Sequence, residues 1–202
     1  MKRIFIYQLC FEAVWCACIF GAAWGLPWLG PVTAALWITF RLRTAERPGR
    51  DLALVVFAGI FGLVADGLLM QLGGVHYTGL AQNALIGPTW ILALWMAFAM
   101  SINVSFTWLR GRPGLAAALG LAGGMLSYAC GRRLGAVDFL FSDLHTLAAL
   151  SLVWGCGLPL LVYVAERCEK GDWGIDQAFV ARASLASFGS FVASWMGGSP
   201  RP

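Results

Sequence analysis

The stretch LALVVFAGIFGLVADGLLMQL, Leu52 to Leu72, decides the fold because it is long enough and apolar enough to cross a lipid bilayer. A transmembrane helix needs about 20 mainly apolar residues, and Asp66 is the one ionisable side chain in this run. Because a bilayer core offers no water to the backbone, such a segment must be helical. Asp66 would then lie about 21 Å into the helix, where a charge requires a partner.

The rest of the chain has a matching composition. It has 202 residues, of which 59% are hydrophobic and 12% charged, whereas soluble domains carry about 25% charged residues. We predict an all-α membrane protein, a bundle of about six transmembrane helices with a C-terminal amphipathic helix. The predicted spans are Ile4–Trp24, Pro27–Phe40, Leu52–Leu72, Pro88–Leu109, Gly114–Cys130 and Leu144–Ala165.

The first run begins with Lys2 and Arg3, as a secretory signal peptide would. Its length of about 20 apolar residues and the presence of Glu12 favour a retained membrane helix instead. With the amino terminus in the cytoplasm, all but two of the 14 Lys and Arg residues fall on the cytoplasmic side. The pattern therefore predicts a multi-pass protein of the bacterial inner (cytoplasmic) membrane with both termini cytoplasmic.

The segment after the sixth span has a different pattern. Leu185, Phe188, Val192 and Trp195 follow helical spacing, with serines and Arg182 mostly opposite. This is typical of an amphipathic helix lying in the membrane interface, and a seventh span is the weaker alternative. We expect a six-span domain over residues 1–166 and a cytoplasmic tail over residues 167–202.

Ionisable and polar residues inside the spans are candidate ligand-binding residues, because they are expensive in lipid. Glu12 and Asn103 come within about 12 Å and 9 Å of the same cytoplasmic side, so they could form an inner polar layer. Asp66 and Tyr128 lie at a similar depth in the third and fifth spans and predict an outer layer. A purely structural role for these residues is the competing interpretation.

Arg132 and Arg133 are the two basic residues on the outer side. Arg132 shares a helix face with Tyr128 and is expected to pair with Asp66, Asp138 or Asp143. Arg133 is expected to extend into the headgroup region, and a lipid phosphate could bind either guanidinium.

Small residues form a stripe along the fifth span, and Gly59 and Gly62 form a shorter one on the third. Such stripes permit close helix approach, so the third and fifth helices are predicted to touch, although packing alone would explain the glycines. The stripe on the fifth span consists of Ala116, Gly120, Gly124, Ser127 and Gly131.

The sequence lacks the residues and motifs that several kinds of site require. The two histidines, His76 and His145, cannot supply a multi-histidine metal site, and the cysteines show no metal-ligand spacing. No nucleotide-binding loop or hydrolase elbow is present, so no cofactor is expected, and basic residues confined to loops argue against nucleic-acid binding. Tryptophans near span ends are interpreted as interface anchors, namely Trp28, Trp90, Trp108 and Trp154.

The region from Pro88 to Phe139 resembles the bacterial membrane-protein family catalogued as domain of unknown function 2878. Gly62 and Asp66 fit the family's Gly-x-x-x-Asp, while Val104 and Met125 stand where the pattern has histidine and proline. The resemblance implies a small inner-membrane protein, sometimes labelled a permease and often encoded near lipid-modifying enzymes. The matching positions in this region are Trp90, Trp95, Asn103, Ser105, Trp108, Leu109, Gly123, Gly124, Tyr128, Gly131, Arg133, Leu134, Gly135 and Ala136.

Three functions remain open from the sequence. The first is a non-enzymatic membrane protein whose outer-half cavity, lined by Asp66, Tyr128 and Arg132, binds or transports a small polar ligand or a lipid headgroup. The second is an accessory protein that holds a lipid-modifying enzyme as its membrane partner. A membrane enzyme that acts on lipid, using the outer carboxylates, His145 and Tyr128, is the third and the least favoured.

Overall fold

The computed structural model describes residues 2–72, 74–80 and 86–170, and over these ranges the chain is mainly helical. The predicted all-α class is confirmed, whereas the predicted C-terminal amphipathic helix lies outside the described residues. The elements are α1 Lys2–Ala23, α2 Leu29–Thr44, α3 Pro48–Gln71, β1 Val75–Tyr77, α4 Thr89–Ile102, the 3-10 turn Thr107–Leu109, α5 Pro113–Arg133, β2 Val137–Phe139 and α6 Asp143–Lys170.

Four of the described helices are long and apolar enough to cross a membrane. They are the segments Ile4–Ala23, Pro48–Gln71, Pro113–Arg133 and Asp143–Lys170. Helix α2 has 16 residues and α4 has 14, so α4 is only about 21 Å long against a hydrocarbon core of about 30 Å. Nearly every side chain of α4 is buried, which makes it the central helix of the bundle.

The predicted fourth span was wrong at its carboxyl end. It was expected to run to Leu109, but α4 stops at Ile102. The side chain of Asn103, at the end of α4, donates to Asp51 and accepts from Arg110. The segment that follows is only partly covered by the bundle, since Asn103 is half-buried whereas Thr107 and Trp108 are exposed.

A two-stranded antiparallel sheet closes one end of the molecule, and the sequence did not predict it. Strands β1 and β2 pair antiparallel, with His76 opposite Asp138 and Tyr77 opposite Val137. The pairing joins the α3–α4 loop to the α5–α6 loop, so both loops lie at one end, which we call the sheet end. The α2–α3 connection lies at the opposite end.

The glycine stripes pack against partners other than those predicted. Gly120 and Gly124 of α5 face Trp154 of α6, and Gly62 of α3 faces Trp95 of α4. The glycine stripes of α3 and α5 therefore do not meet as predicted, whereas the predicted approach of Tyr128 on α5 to Asp66 on α3 is formed. The indoles of Trp95 and Trp154 lie against Gly62 and Gly124, whereas Gly120 lets the backbone of α6 at Trp154 approach α5.

Candidate functional site

The carboxyl group of Asp66 is the centre of a buried polar cluster near the sheet end. Asp66 is 1% exposed. Its Oδ1 accepts hydrogen bonds from the hydroxyls of Tyr128, at 2.6 Å, and Tyr77. Its Oδ2 accepts from the Nε1 of Trp95 at 2.6 Å. We call these four residues the Asp66 cluster, in which both carboxyl oxygens are occupied by protein donors.

Glycines and stacked tryptophans hold the Asp66 cluster in position. A Cβ atom on Gly62, one turn before Asp66, would overlap the Trp95 indole, so glycine is required there for the indole to lie against α3. The Trp95 ring stacks on Trp154 with a centroid distance of 4.1 Å and an interplanar angle of 9°. Trp154 in turn packs on Gly124, so α3 and α5 are joined through two indoles.

Tyr77 reaches the Asp66 cluster from strand β1, so the two-stranded sheet positions one of the hydrogen-bond donors to Asp66. It is fully buried and lies edge-on to Trp90, with ring centroids 5.5 Å apart. Burial, followed by the neighbouring Asp66 carboxyl, raises the pKa of Tyr77 well above its ordinary value. Tyr77 therefore stays protonated and can donate to Asp66. Trp90 is 1% exposed, so its predicted role as an interface anchor was wrong.

The space beside the Asp66 cluster is small. Tyr77, Trp95 and Tyr128 line a cavity of about 20 Å³, which is enough for about one water molecule. The described residues around Asp66 therefore enclose no room for a headgroup. Together with the three donors on the carboxyl group, this geometry favours the structural interpretation of Asp66.

Arg132 lies outside the Asp66 cluster. Of the three acids predicted as its partners, the structure pairs it with Asp143 at the start of α6. Its guanidinium also lies 4.9 Å from the ring centroid of Phe139. Arg133 is exposed, and the structure therefore assigns neither arginine to Asp66.

A larger cavity of about 280 Å³ opens at the opposite end of the bundle. Residues of α1, α2 and α3 and the end of α4 line it, and we call it the arginine cavity. Val104, just after the end of α4, forms part of the wall. The lining consists of Ile4, Tyr7, Arg41, Thr44, Ala45, Glu46, Arg50, Asp51, Asn103 and Val104.

Two of the lining charges are buried. Arg41 is 4% exposed and Asp51 is 5% exposed, yet the closest approach of Arg41 Nη2 to Asp51 Oδ2 is 3.9 Å. Arg50 Nε lies 3.9 Å from the other oxygen of Asp51, which accepts a 2.7 Å hydrogen bond from Asn103. Asp51 is thus shared by two guanidinium groups but makes a close contact with neither of them.

The predicted inner layer of Glu12 and Asn103 is not formed as expected. Glu12 is exposed and accepts from Gln8 at 2.7 Å on its own helix. Asn103 lines the arginine cavity instead, and its Oδ1 accepts from Arg110 Nη2 at 3.1 Å. The exposed position of Glu12 follows from its helix face, which the apolar sequence around it does not determine.

Comparison with known proteins places the chain in a family. Residues 4–160 match the family described as Protein of unknown function (DUF2878). The chain belongs to the DUF2878 family. The family predicted from the sequence motif is thereby confirmed. No curated protein and no solved structure shows a significant match.

The part of the chain shared with the DUF2878 family contains both polar sites. The Asp66 cluster and the complete lining of the arginine cavity lie within residues 4–160. Glu169, which pairs with Arg110 and lies 3.5 Å from Arg50, is beyond that range. In this DUF2878 protein, the end of α6 therefore adds an acid next to a site built from the family region.

Proposed function

We propose that this protein is a multi-pass protein of the bacterial cytoplasmic membrane that binds a small polar ligand or a lipid headgroup in the arginine cavity. Four helices of spanning length and a short, buried α4 support the membrane assignment. The observation that carries the binding proposal is the cavity of about 280 Å³ with buried Arg41 and Asp51 in its wall. Ionisable groups inside a membrane bundle usually face a partner or a wet cavity.

The distribution of positive charge supports an orientation with the arginine cavity facing the cytoplasm. Six arginines lie near the ends of α2 and α4 and the starts of α3 and α5, whereas Arg132 and Arg133 lie at the sheet end. Cytoplasmic loops carry an excess of Lys and Arg. The six arginines are Arg41, Arg43, Arg47, Arg50, Arg110 and Arg112.

Filling the cavity should remove its ligand. Val104→Trp places a larger side chain in the cavity wall. We therefore expect the amount of bound ligand that remains with each protein chain to fall about tenfold or more. Val64→Trp is the matched control because Val64 is 55% exposed on α3 and far from the lining. Native mass spectrometry of the full chain released from mild detergent measures retention.

Two other results would contradict the binding proposal. One is equal retention by wild type, Val104→Trp and Val64→Trp, which would place any bound molecule outside the arginine cavity. The other is a wild-type chain that carries no bound molecule but co-purifies stoichiometrically with a membrane enzyme, which would support the accessory role instead.

Site-directed labelling tests the orientation. In a variant whose six cysteines are replaced by alanine, Leu140→Cys marks the sheet end and Glu46→Cys marks the opposite end, where the arginine cavity lies. Both positions are exposed and therefore open to labelling. We expect a membrane-impermeant maleimide to label Leu140→Cys in intact spheroplasts and Glu46→Cys only after permeabilisation. The reverse labelling order would contradict the proposed orientation.

A further inference from the structure

We infer that the arginine cavity binds a phosphate group, either as free phosphate or as part of a phospholipid headgroup. This inference rests on the proposed function, because it identifies the chemistry of the molecule that occupies the cavity.

Two arginines in the cavity wall carry buried donors without partners. The Nε atoms of Arg41 and Arg50 are buried, and neither has a hydrogen-bond partner among the described residues. The guanidinium of Arg41 lies over the Tyr7 ring at 4.6 Å from the centroid, so the ring covers one face. The N–H groups lie in the guanidinium plane, so the contact with Tyr7 does not block them. Arg41 Nη1 donates to Thr44 Oγ1 at 3.5 Å, and the other N–H groups remain for an acceptor.

The charges that line the cavity balance in number, but the two acids leave Arg41 without a close partner. Arg41 and Arg50 line the cavity together with Asp51, which lies 3.9 Å from each guanidinium, and with the exposed Glu46. Arg50 also lies 3.5 Å from Glu169, whose side chain is 41% exposed. A buried charge without a close partner is costly, so an anion in the cavity would offset the cost of burying Arg41.

The arrangement of the donors suits phosphate. Arg41 approaches from the end of α2 and Arg50 from the first turn of α3, where a helix N-terminus adds positive potential. Guanidinium groups on two helices can each bind two oxygens of one tetrahedral phosphate. The volume of about 280 Å³ is slightly below that of common drug-sized pockets, and it fits a phosphate with a short substituent.

Variants of the full chain in mild detergent test the phosphate assignment. We expect Arg41→Gln to weaken binding of inorganic phosphate, measured by calorimetric titration, by about tenfold or more, because a charge-assisted contact is lost. Arg43→Gln, an exposed arginine on the same helix, should bind like wild type. Asp51→Asn should bind phosphate at least as tightly as wild type, because it removes a competing negative charge.

A second arm identifies the source of the phosphate. Mass spectrometry of the molecule retained by wild type and lost in Val104→Trp shows whether it is a phospholipid or inorganic phosphate, and either result supports the inference. If Arg41→Gln does not fold, Arg41→Lys keeps the charge without the planar donor set and should still weaken phosphate binding measurably.

The outcomes separate the inference from the proposed function. A retained molecule that contains no phosphorus, and that Val104→Trp excludes, would overturn the phosphate assignment while the ligand site stands. Loss of binding in Asp51→Asn with normal binding in Arg41→Gln would indicate a cationic ligand and would also overturn it. The absence of any molecule from the cavity in wild type, with no response to added phosphate, would reject both.

Discussion

Asp66→Ala is expected to lower the free energy of unfolding by about 3–5 kcal/mol. The substitution leaves the hydroxyls of Tyr77 and Tyr128 and the indole N–H of Trp95 without their acceptor in a site where Asp66 is 1% exposed. Each unsatisfied buried donor costs about 1–3 kcal/mol. Denaturant titration of the full chain in mixed detergent micelles, followed by circular dichroism, measures the loss.

Asp138→Ala is the control for this loss, because Asp138 is exposed at the same end and its removal should change stability by about 0.5 kcal/mol or less. Asp66→Asn keeps an acceptor for one side of the cluster but turns an NH₂ group toward another donor, so it should destabilise by less than alanine. If the free energy of unfolding of Asp66→Ala were within about 1 kcal/mol of the wild-type value, the Asp66 cluster would not stabilise the fold as argued. The ligand-binding role predicted for Asp66 from the sequence would then regain support.

The location of Asp66 could be predicted from the sequence, but most of its partners could not. A lone carboxyl in a 21-residue apolar run demands hydrogen bonds, and equal depth in two spans pointed to Tyr128. Tyr77 belongs to a short strand whose pairing with β2 depends on two loops far apart in sequence. Trp95 faces Asp66 only because of the rotation of α4 about its axis, which a uniformly apolar helix does not reveal.

The arginine cavity was missed for a related reason. Arg41, Arg50 and Asp51 lie at the ends of predicted spans, where charges usually mark the cytoplasmic side and are solvated. Successive residues of an α-helix are about 100° apart, so two residues of separation turn a side chain from the bundle toward its surface. The structure buries Arg41 and Asp51 and leaves Arg43, two residues away, exposed. From the sequence alone, these residues can be placed at the ends of the predicted helices, but the helix faces that they occupy cannot be predicted.

Gly120→Ala is expected to lower the free energy of unfolding by about 3 kcal/mol, the second large effect. A Cβ atom at Gly120 would fall on the backbone carbonyl of Trp154 in α6. Because the obstacle is backbone, no side-chain rotation relieves it, and α5 must move away from α6. Gly123→Ala adds the same methyl group to the same helix with nothing within 4 Å, so it should be neutral or slightly stabilising.

The same displacement should weaken the Asp66 cluster, since Gly120, Gly124 and Tyr128 lie at successive four-residue intervals on one face of α5. Moving that face withdraws the Tyr128 hydroxyl from Asp66, to which it donates at 2.6 Å. The double variant Asp66→Ala/Gly120→Ala should therefore lose less stability than the two single losses added together. Strict additivity, measured by the same denaturant titration, would mean that close packing of α5 on α6 does not position Tyr128.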